Sequence, residues 1–309
     1  MALIFHSKIR RDDWWREVLG KYVPDLEVRF YPDVGNPDDI EYALCFAMPH
    51  GVLAGFKNLK GIFSLGAGVD HFFSDPDFPK HIPFARVVDD ELTGRMSEYV
   101  LQHVLNHHRY QIDYDLQQKD HVWKERFPPS ARNRKVGILG MGALGAGAAE
   151  RLNYLGFDVA GWSRSPKEVE GVQSFHGKDQ LDAFLERTEI LVCLLPLTEE
   201  TTGIINKDLL VKLPEGAAVI NPGRGPHVVP EDLIAAIDSG HISGATLDVF
   251  IQEPLPAEDP LWSHPRIRVT PHVASVASPN RVAQLAAENI KRIEEGKPLL
   301  NQVDPDRGY

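Results

Sequence analysis

The sequence predicts an α/β protein built from two parallel-sheet domains, Rossmann-like or flavodoxin-like, with a cleft between them. Three observations lead there. Short apolar runs alternate with helical stretches in two successive series. A glycine-rich strand–turn–helix–strand unit opens the second series. And 309 residues are more than one ordinary core of about 100–200 residues needs.

The bulk composition narrows the function classes. With 43% hydrophobic and 25% charged residues the chain is an ordinary globular mix. Its 33 basic and 44 acidic residues give 33 − 44 = −11, a poor balance for binding nucleic acid or an anionic membrane. No apolar run approaches the roughly 20 residues that span a bilayer. The opening apolar stretch, Ala2 to Phe5, is shorter than a signal-peptide core, so it reads as a first strand, and the cytoplasm is the expected compartment. Cys45 and Cys193 sit in the apolar runs ALCFAM and ILVCLLP. They read as buried strand thiols, not as a disulfide framework or a zinc site.

In the first series the strands are ALIF, LEVRF, YALCFAM, IFSLGAGVD and FARVV, with DDWWREVLGKY and MPHGVLAGFKNL as helical stretches between them. Residues 97–121 carry Tyr99, Val100, Val104, Leu105 and Ile112 at helical spacing and predict one long helix. The second series has strands KVGILG, DVAGW, ILVCLLP, AAVINPG, GATLDVF and RVTPHV. The last helix, PNRVAQLAAENIKRIEEG, has Pro279 near its start and Gly296 near its end. The expected domains are therefore residues 1–102 with 276–309, and residues 103–275.

The segment KVGILGMGALGAGAAERLNYLGFDVAGW is a full βαβ unit. Its strand, Val136 to Leu139, runs into Gly140, Met141, Gly142, Ala143, Leu144 and Gly145. The glycines allow the tight turn, the approach of a pyrophosphate and close helix–strand packing; the phosphates would sit on the helix N-terminus. An NAD site usually ends the next strand with an acid that holds the ribose 2′-hydroxyl. Here Trp162 is followed by Ser163, Arg164 and Ser165, with Lys167 close behind. Hydroxyls and a guanidinium suit a 2′-phosphate, so the expected cofactor is NADPH/NADP+. The other reading of the turn is an ordinary solvated basic loop, and packing is the simpler role for the Trp162 indole.

Three polar groups stand at the ends of later strands: Arg224 between two glycines after AAVIN, Glu253 in the proline-rich turn after GATLDVF, and His272 after RVTP. In a parallel sheet these loops share one edge with the cofactor. Arg, Glu and His there suit an anion holder, a carboxylate orienter and a proton donor. Singly, each also reads as structure: a salt bridge, a turn cap, a satisfied histidine. Their order after GMGALG favours the chemical reading. His103 and His107 stand one helical turn apart. Val104 follows the first, where a hydrolytic zinc helix needs glutamate. With His108 they read as a polar helix face or a subunit contact, not as a metal site. There is no nucleophile elbow, and GRGPH lacks the lysine of a P-loop.

GMGALG, PLTEETTGIIN, INPGRG, LDVFIQEPLP and TPHVAS together resemble the D-2-hydroxyacid dehydrogenase family. WSRS, the EPLP…PLW…HPR…TPH run and the terminal DRGY are most similar to its NADPH-dependent glyoxylate/hydroxypyruvate reductase A branch. The resemblance implies reduction of a small 2-oxo acid to the 2-hydroxy acid. Arg224 would bind the substrate's carboxylate and carbonyl. His272 would give a proton to the carbonyl oxygen, and Glu253 would hydrogen-bond His272 and raise its pKa. The amides of Ala67 and Gly68 in LGAGVD would hold the carboxylate, and Met48 would lie on the substrate side. Asp248 would contact the nicotinamide amide. Pro196, Asn221, Pro222 and Gly223 would line the nicotinamide and its ribose, with Leu195 and Ala274 also counted among the cofactor-binding residues. Residues 97–127 look like the arm of a homodimer, where Trp123 would either reach a partner's active site or pack in the interface. The open alternatives are a reductase of a bulkier acid such as phenylpyruvate and a non-enzymatic NADP(H)-binding sensor or partner-binding protein.

Overall fold

In a computed structural model, residues 1–7 and 12–305 are described. The terminal DRGY of the resemblance lies outside them. The chain forms two compact units: residues 1–91 with 276–309, and residues 92–275. The first boundary falls before the expected residue 102. Met96, Tyr99, Val100 and Val104 of the helix Asp90–His108 pack into one core with Val136, Ile138, Ala148 and Leu152 of the second unit.

The first unit carries five strands: β1 (Ala2–His6), β2 (Glu27–Phe30), β3 (Ile40–Cys45), β4 (Gly61–Ser64) and β5 (Phe84–Ala85). They lie in the order β2-β1-β3-β4-β5 and every pairing is parallel. This is a flavodoxin-like doubly wound order. All four residues of β4 and four of five in β1 are buried, as strands covered on both faces should be. Helix Asp12–Tyr22 forms on the residues expected. Asp12 and Asp13 occupy its first turn and Lys21 its last, which suits the helix dipole. Trp15, Val18 and Leu19 fall on one face and are buried. The helix Pro279–Glu294 starts on Pro279 and is followed by Gly296 at φ +66, a left-handed stop that glycine adopts freely.

The second unit carries seven parallel strands: β6 (Lys135–Leu139), β7 (Asp158–Ser163), β8 (Gln173–His176), β9 (Ile190–Cys193), β10 (Ala217–Asn221), β11 (Ile242–Leu247) and β12 (Ile267–Val269). Their order is β12-β11-β10-β9-β6-β7-β8, all parallel. The chain starts in the middle at β6, builds outward to β8, then crosses back to β9. The order reverses between β6 and β9, where a Rossmann sheet opens its ligand crevice.

Three sequence expectations change. MPHGVLAGFKNL forms only a single 3₁₀ turn at Leu53–Gly55; Pro49 lacks a helical donor, and Gly51 sits at φ +76. The long helix expected over 97–121 begins earlier, at Asp90, and is cut in two. Tyr110 is left-handed at φ 59, and a second helix runs from Gln111 to Lys119. Arg126 lies over the Tyr110 ring at 4.0 Å, beside this break. Finally, β8 is a seventh strand at the sheet edge. Its sequence, QSFH, is half polar and its pattern is exposed to intermediate, so no apolar run announced it.

Candidate active site

The glycine loop leaves β6 and enters the helix Ala143–Tyr154. Gly140 takes φ +100, and a methyl there would stand 2.5 Å from the Leu194 carbonyl oxygen. Gly145 passes so close to Gly140 that a methyl would meet its carbonyl oxygen at 1.9 Å. Both positions need glycine, one for the turn and one for helix–strand contact. Gly142 is the N-cap residue, and a methyl there would meet nothing within 4 Å. The helix therefore presents its first amides to open space, which fits a dinucleotide's pyrophosphate.

The neighbouring side chains divide into inward and outward groups. Met141 is buried against Gly161, where an added methyl would lie 2.3 Å from its sulfur. Trp162 is buried, and its indole N–H donates to the Gly177 carbonyl at 2.9 Å. These two side chains, and the buried Leu195 and Ala274, belong to the core of the unit. Any cofactor contact they make runs through backbone or a small exposed edge. Ser163 donates to the Ser165 carbonyl at 2.7 Å and so shapes the turn after β7. Arg164, Ser165 and Lys167 are exposed.

On the same edge, β10, β11 and β12 are neighbours, and the loops after them carry Arg224, Glu253 and His272. The Glu253 carboxylate is fixed at both ends. One oxygen accepts from the Phe250 amide at 3.0 Å, the other from the His272 ring at Nδ1, 2.7 Å away. An ionised carboxylate only accepts, so Nδ1 carries the hydrogen and Nε2 is the free end of the ring. His272 itself is left-handed, φ 53, an unusual state for a side chain of this size. Its amide donates to the Asp248 carbonyl at 2.8 Å.

Asp248 is fully buried, and its carboxylate is the hub of this loop. Thr270 donates to it at 2.6 Å, the Val273 amide at 3.0 Å and the Ala274 amide at 2.8 Å. Tyr99 meets the Thr270 hydroxyl at 2.7 Å. The Thr270 hydrogen already points at a carboxylate, so Tyr99 is the donor in that pair. The structure thus shows Asp248 organising the His272 loop. Asn221 works similarly on the Arg224 loop: its side chain donates to the Arg224 carbonyl at 2.9 Å and accepts from the Gly223 amide at 3.2 Å. The glycines beside Arg224 are there for packing. A methyl on Gly225 would meet the Phe250 carbonyl carbon at 1.9 Å. Pro222 is buried beside them, and Pro196 is half-buried after β9.

The remaining expected residues lie elsewhere. In the first unit, Ala67 and Gly68 are half-buried in the loop after β4, and Met48 is buried in that unit's core. In the second, Trp123 stands 92% exposed in the connector before β6. The three histidines do not form a polar surface. His103 and His108 are buried, the His103 ring packs tilted against Tyr99 with centroids 4.2 Å apart, and His107 meets the Thr246 hydroxyl at 3.0 Å. Their helix turns this face into its own unit because Tyr99 and Val100 lead it there. The Tyr99–Thr270 pair joins residues 171 apart in the chain, and no local pattern links them.

Residues 101–274 match the family model for the NAD binding domain of the D-isomer specific 2-hydroxyacid dehydrogenases. The chain belongs to the D-isomer specific 2-hydroxyacid dehydrogenase family. Among solved members, one from Xanthobacter autotrophicus Py2, in complex with NADPH and MES, is 46% identical; it covers 100% of this chain and 99% of its own, with a TM-score of 0.95. The NADPH-dependent glyoxylate/hydroxypyruvate reductase of Sinorhizobium meliloti, with NADP and sulfate, is 40% identical over 100% and 99% of the two chains, TM-score 0.91. A probable 2-hydroxyacid dehydrogenase of Rhizobium etli CFN 42, with NADP, HEPES and L(+)-tartaric acid, is 38% identical over 100% and 99%, TM-score 0.91. The family thus agrees with the resemblance drawn from the motifs. Among the described residues no helix is long and apolar enough to cross a membrane.

Proposed function

We propose that this dehydrogenase reduces a small 2-oxo acid, glyoxylate or hydroxypyruvate, to the 2-hydroxy acid with NADPH. The observation that carries the chemistry is the His272–Glu253 pair, 2.7 Å apart on the sheet edge that also carries the glycine loop. Glu253 holds the ring by Nδ1, and in the imidazolium form, where both nitrogens carry hydrogen, Nε2 gives its proton to the substrate's carbonyl oxygen and leaves a neutral ring. Arg224 anchors the carboxylate and polarises the carbonyl. A reduced nicotinamide, when bound, supplies the hydride. Pro196 lines the nicotinamide, and Asp248 and Asn221 keep the surrounding loops in shape.

The choice of NADPH rests on the turn after β7. No acid stands there, Ser163 and Ser165 bring hydroxyls, and Arg164 and Lys167 bring positive charge. A carboxylate in that place would repel a 2′-phosphate; a guanidinium binds it in a fork. The related proteins from Xanthobacter, Sinorhizobium and Rhizobium hold NADP or NADPH, which supports the same choice here. The acidic charge of the chain argues against nucleic acid and anionic membranes as partners, and the cytoplasm and a homodimer complete the proposal.

The test is a matched assay of NADPH and NADH consumption with glyoxylate, hydroxypyruvate, pyruvate and phenylpyruvate. NADPH-selective turnover of the two small acids is the expected result. Preference for NADH removes the role of Arg164. Preference for phenylpyruvate moves the substrate to the bulkier class. Tight NADPH binding without turnover of any acid makes the protein a sensor.

A further inference from the structure

His227 lies three residues beyond Arg224 and is fully buried, yet it has no part in the chemistry described so far. Its ring touches three different pieces of the sheet edge. The backbone amide of Arg224 donates to Nδ1 at 3.2 Å. The thiol of Cys193, the last residue of β9, stands 3.5 Å from the same nitrogen. Nε2 faces the carbonyl oxygen of Pro196 at 3.3 Å.

Donor and acceptor chemistry fixes the ring. An amide N–H can only donate, so Nδ1 is an acceptor; a carbonyl can only accept, so Nε2 carries the hydrogen. Burial pushes the Cys193 thiol up to about 12, which keeps it an S–H able to share the Nδ1 lone pair with the Arg224 amide. The amide and the carbonyl demand the same tautomer, and the thiol accommodates it. The rest of the loop follows from it. The His227 amide donates back to the Arg224 carbonyl at 3.2 Å, closing a reciprocal pair. A methyl on Gly223 would come within 3.3 Å of Nδ1, so the ring also fills the space that Gly223 leaves open.

We infer that His227 is a positioning residue that sets the register between two loops, holding the Arg224 backbone through Nδ1 and the Pro196 backbone through Nε2–H. This inference rests on the proposed function, in which Arg224 meets the substrate carboxylate and Pro196 lines the nicotinamide. One ring then couples the substrate side to the cofactor side, and its two nitrogens govern different binding constants.

Two substitutions separate the arms. Asparagine places its amide near Nδ1, so His227→Asn retains an acceptor for Arg224 and loses the donor to Pro196. Glutamine reaches the place of Nε2, so His227→Gln retains the donor and loses the acceptor. The expected result is a split. His227→Gln raises the KM for glyoxylate about ten-fold, the size of a lost hydrogen bond to an ordered loop, and leaves the KM for NADPH within about two-fold. His227→Asn does the reverse, and His227→Leu raises both. A residue that only fills space would move both constants together in Asn and Gln; that outcome overturns the inference. A second measurement is independent of turnover. Long-range ¹H–¹⁵N correlation of histidine-labelled wild-type protein, with the signal assigned by its loss in His227→Asn, should show hydrogen on Nε2 alone. Hydrogen on Nδ1 overturns the inference even in an active enzyme. A wild type that turns over no 2-oxo acid, but shows hydrogen on Nε2, sinks the proposed function and keeps the loop geometry.

Discussion

His272 acts from a backbone conformation that most side chains avoid, at φ 53, and is kept there by bonds on both sides. Its amide is tied to the Asp248 carbonyl and its ring to Glu253. With Nδ1 occupied by Glu253, Nε2 is the ring nitrogen left for chemistry. If that nitrogen is the proton donor, His272→Ala should lower kcat by about 10²–10⁴-fold, the usual worth of general acid catalysis. The affinity for NADPH, measured by fluorescence titration, should stay close to that of wild type. A variant with near-normal kcat would take His272 out of the proton transfer. A second residue-scale prediction concerns Arg164. Arg164→Ala should weaken NADPH about 10–100-fold, as expected for a lost charge-assisted contact, and barely alter NADH. Equal weakening of both would return the turn after β7 to an ordinary solvated loop.

At the scale of elements, the site is a set of loops held by buried polar hubs. Asp248 takes three donors, and two of them come from the segment that follows His272. Thr270 supplies the third and is itself backed by Tyr99. Thr270→Val keeps the shape and removes the hydroxyl, leaving a buried carboxylate one partner short. We expect kcat to fall about ten-fold by this route, and Thr270→Ser to restore it. A Val variant as active as wild type would mean the two amides suffice. The sequence carried much of this frame. The strands appeared as apolar runs because both faces of each sheet are covered, and the chemical residues were visible because they interrupt such runs at strand ends. The hubs were not visible. Tyr99 reads as one more apolar position of a helix, and its hydroxyl finds Thr270 only after the sheet has formed. The break at Tyr110 was also hidden, because apolar spacing continues across it to Ile112 and says nothing about a left-handed residue. The polar edge strand β8 failed for the opposite reason: it pairs through its backbone while its side chains give no period.

At the scale of the whole molecule, the helix Asp90–His108 brings three histidines into a unit that has little room for their charge. Burial lowers the pKa of His103 and His108 and pushes that of His107 down to about 3 from the ordinary 6.5. For His107 the nearby His103 and Arg268 add to the effect. The unfolded chain therefore binds these protons before the folded one does. Stability is full above the unfolded value near 6.5. It falls as pH drops below that, and for His107 it goes on falling down to about 3. Each histidine that is protonated only on unfolding contributes a slope of up to about 1.4 kcal/mol per pH unit. This loss begins above the range in which carboxylates titrate, so it separates from ordinary acid denaturation. We expect the urea midpoint to fall steadily between pH 7 and pH 5. The neutral amide in His107→Gln can still meet Thr246, and it should flatten that slope. An unchanged midpoint across this interval would show that the histidines take up their protons without unfolding, and the same fall in the variant would take His107 out of the effect.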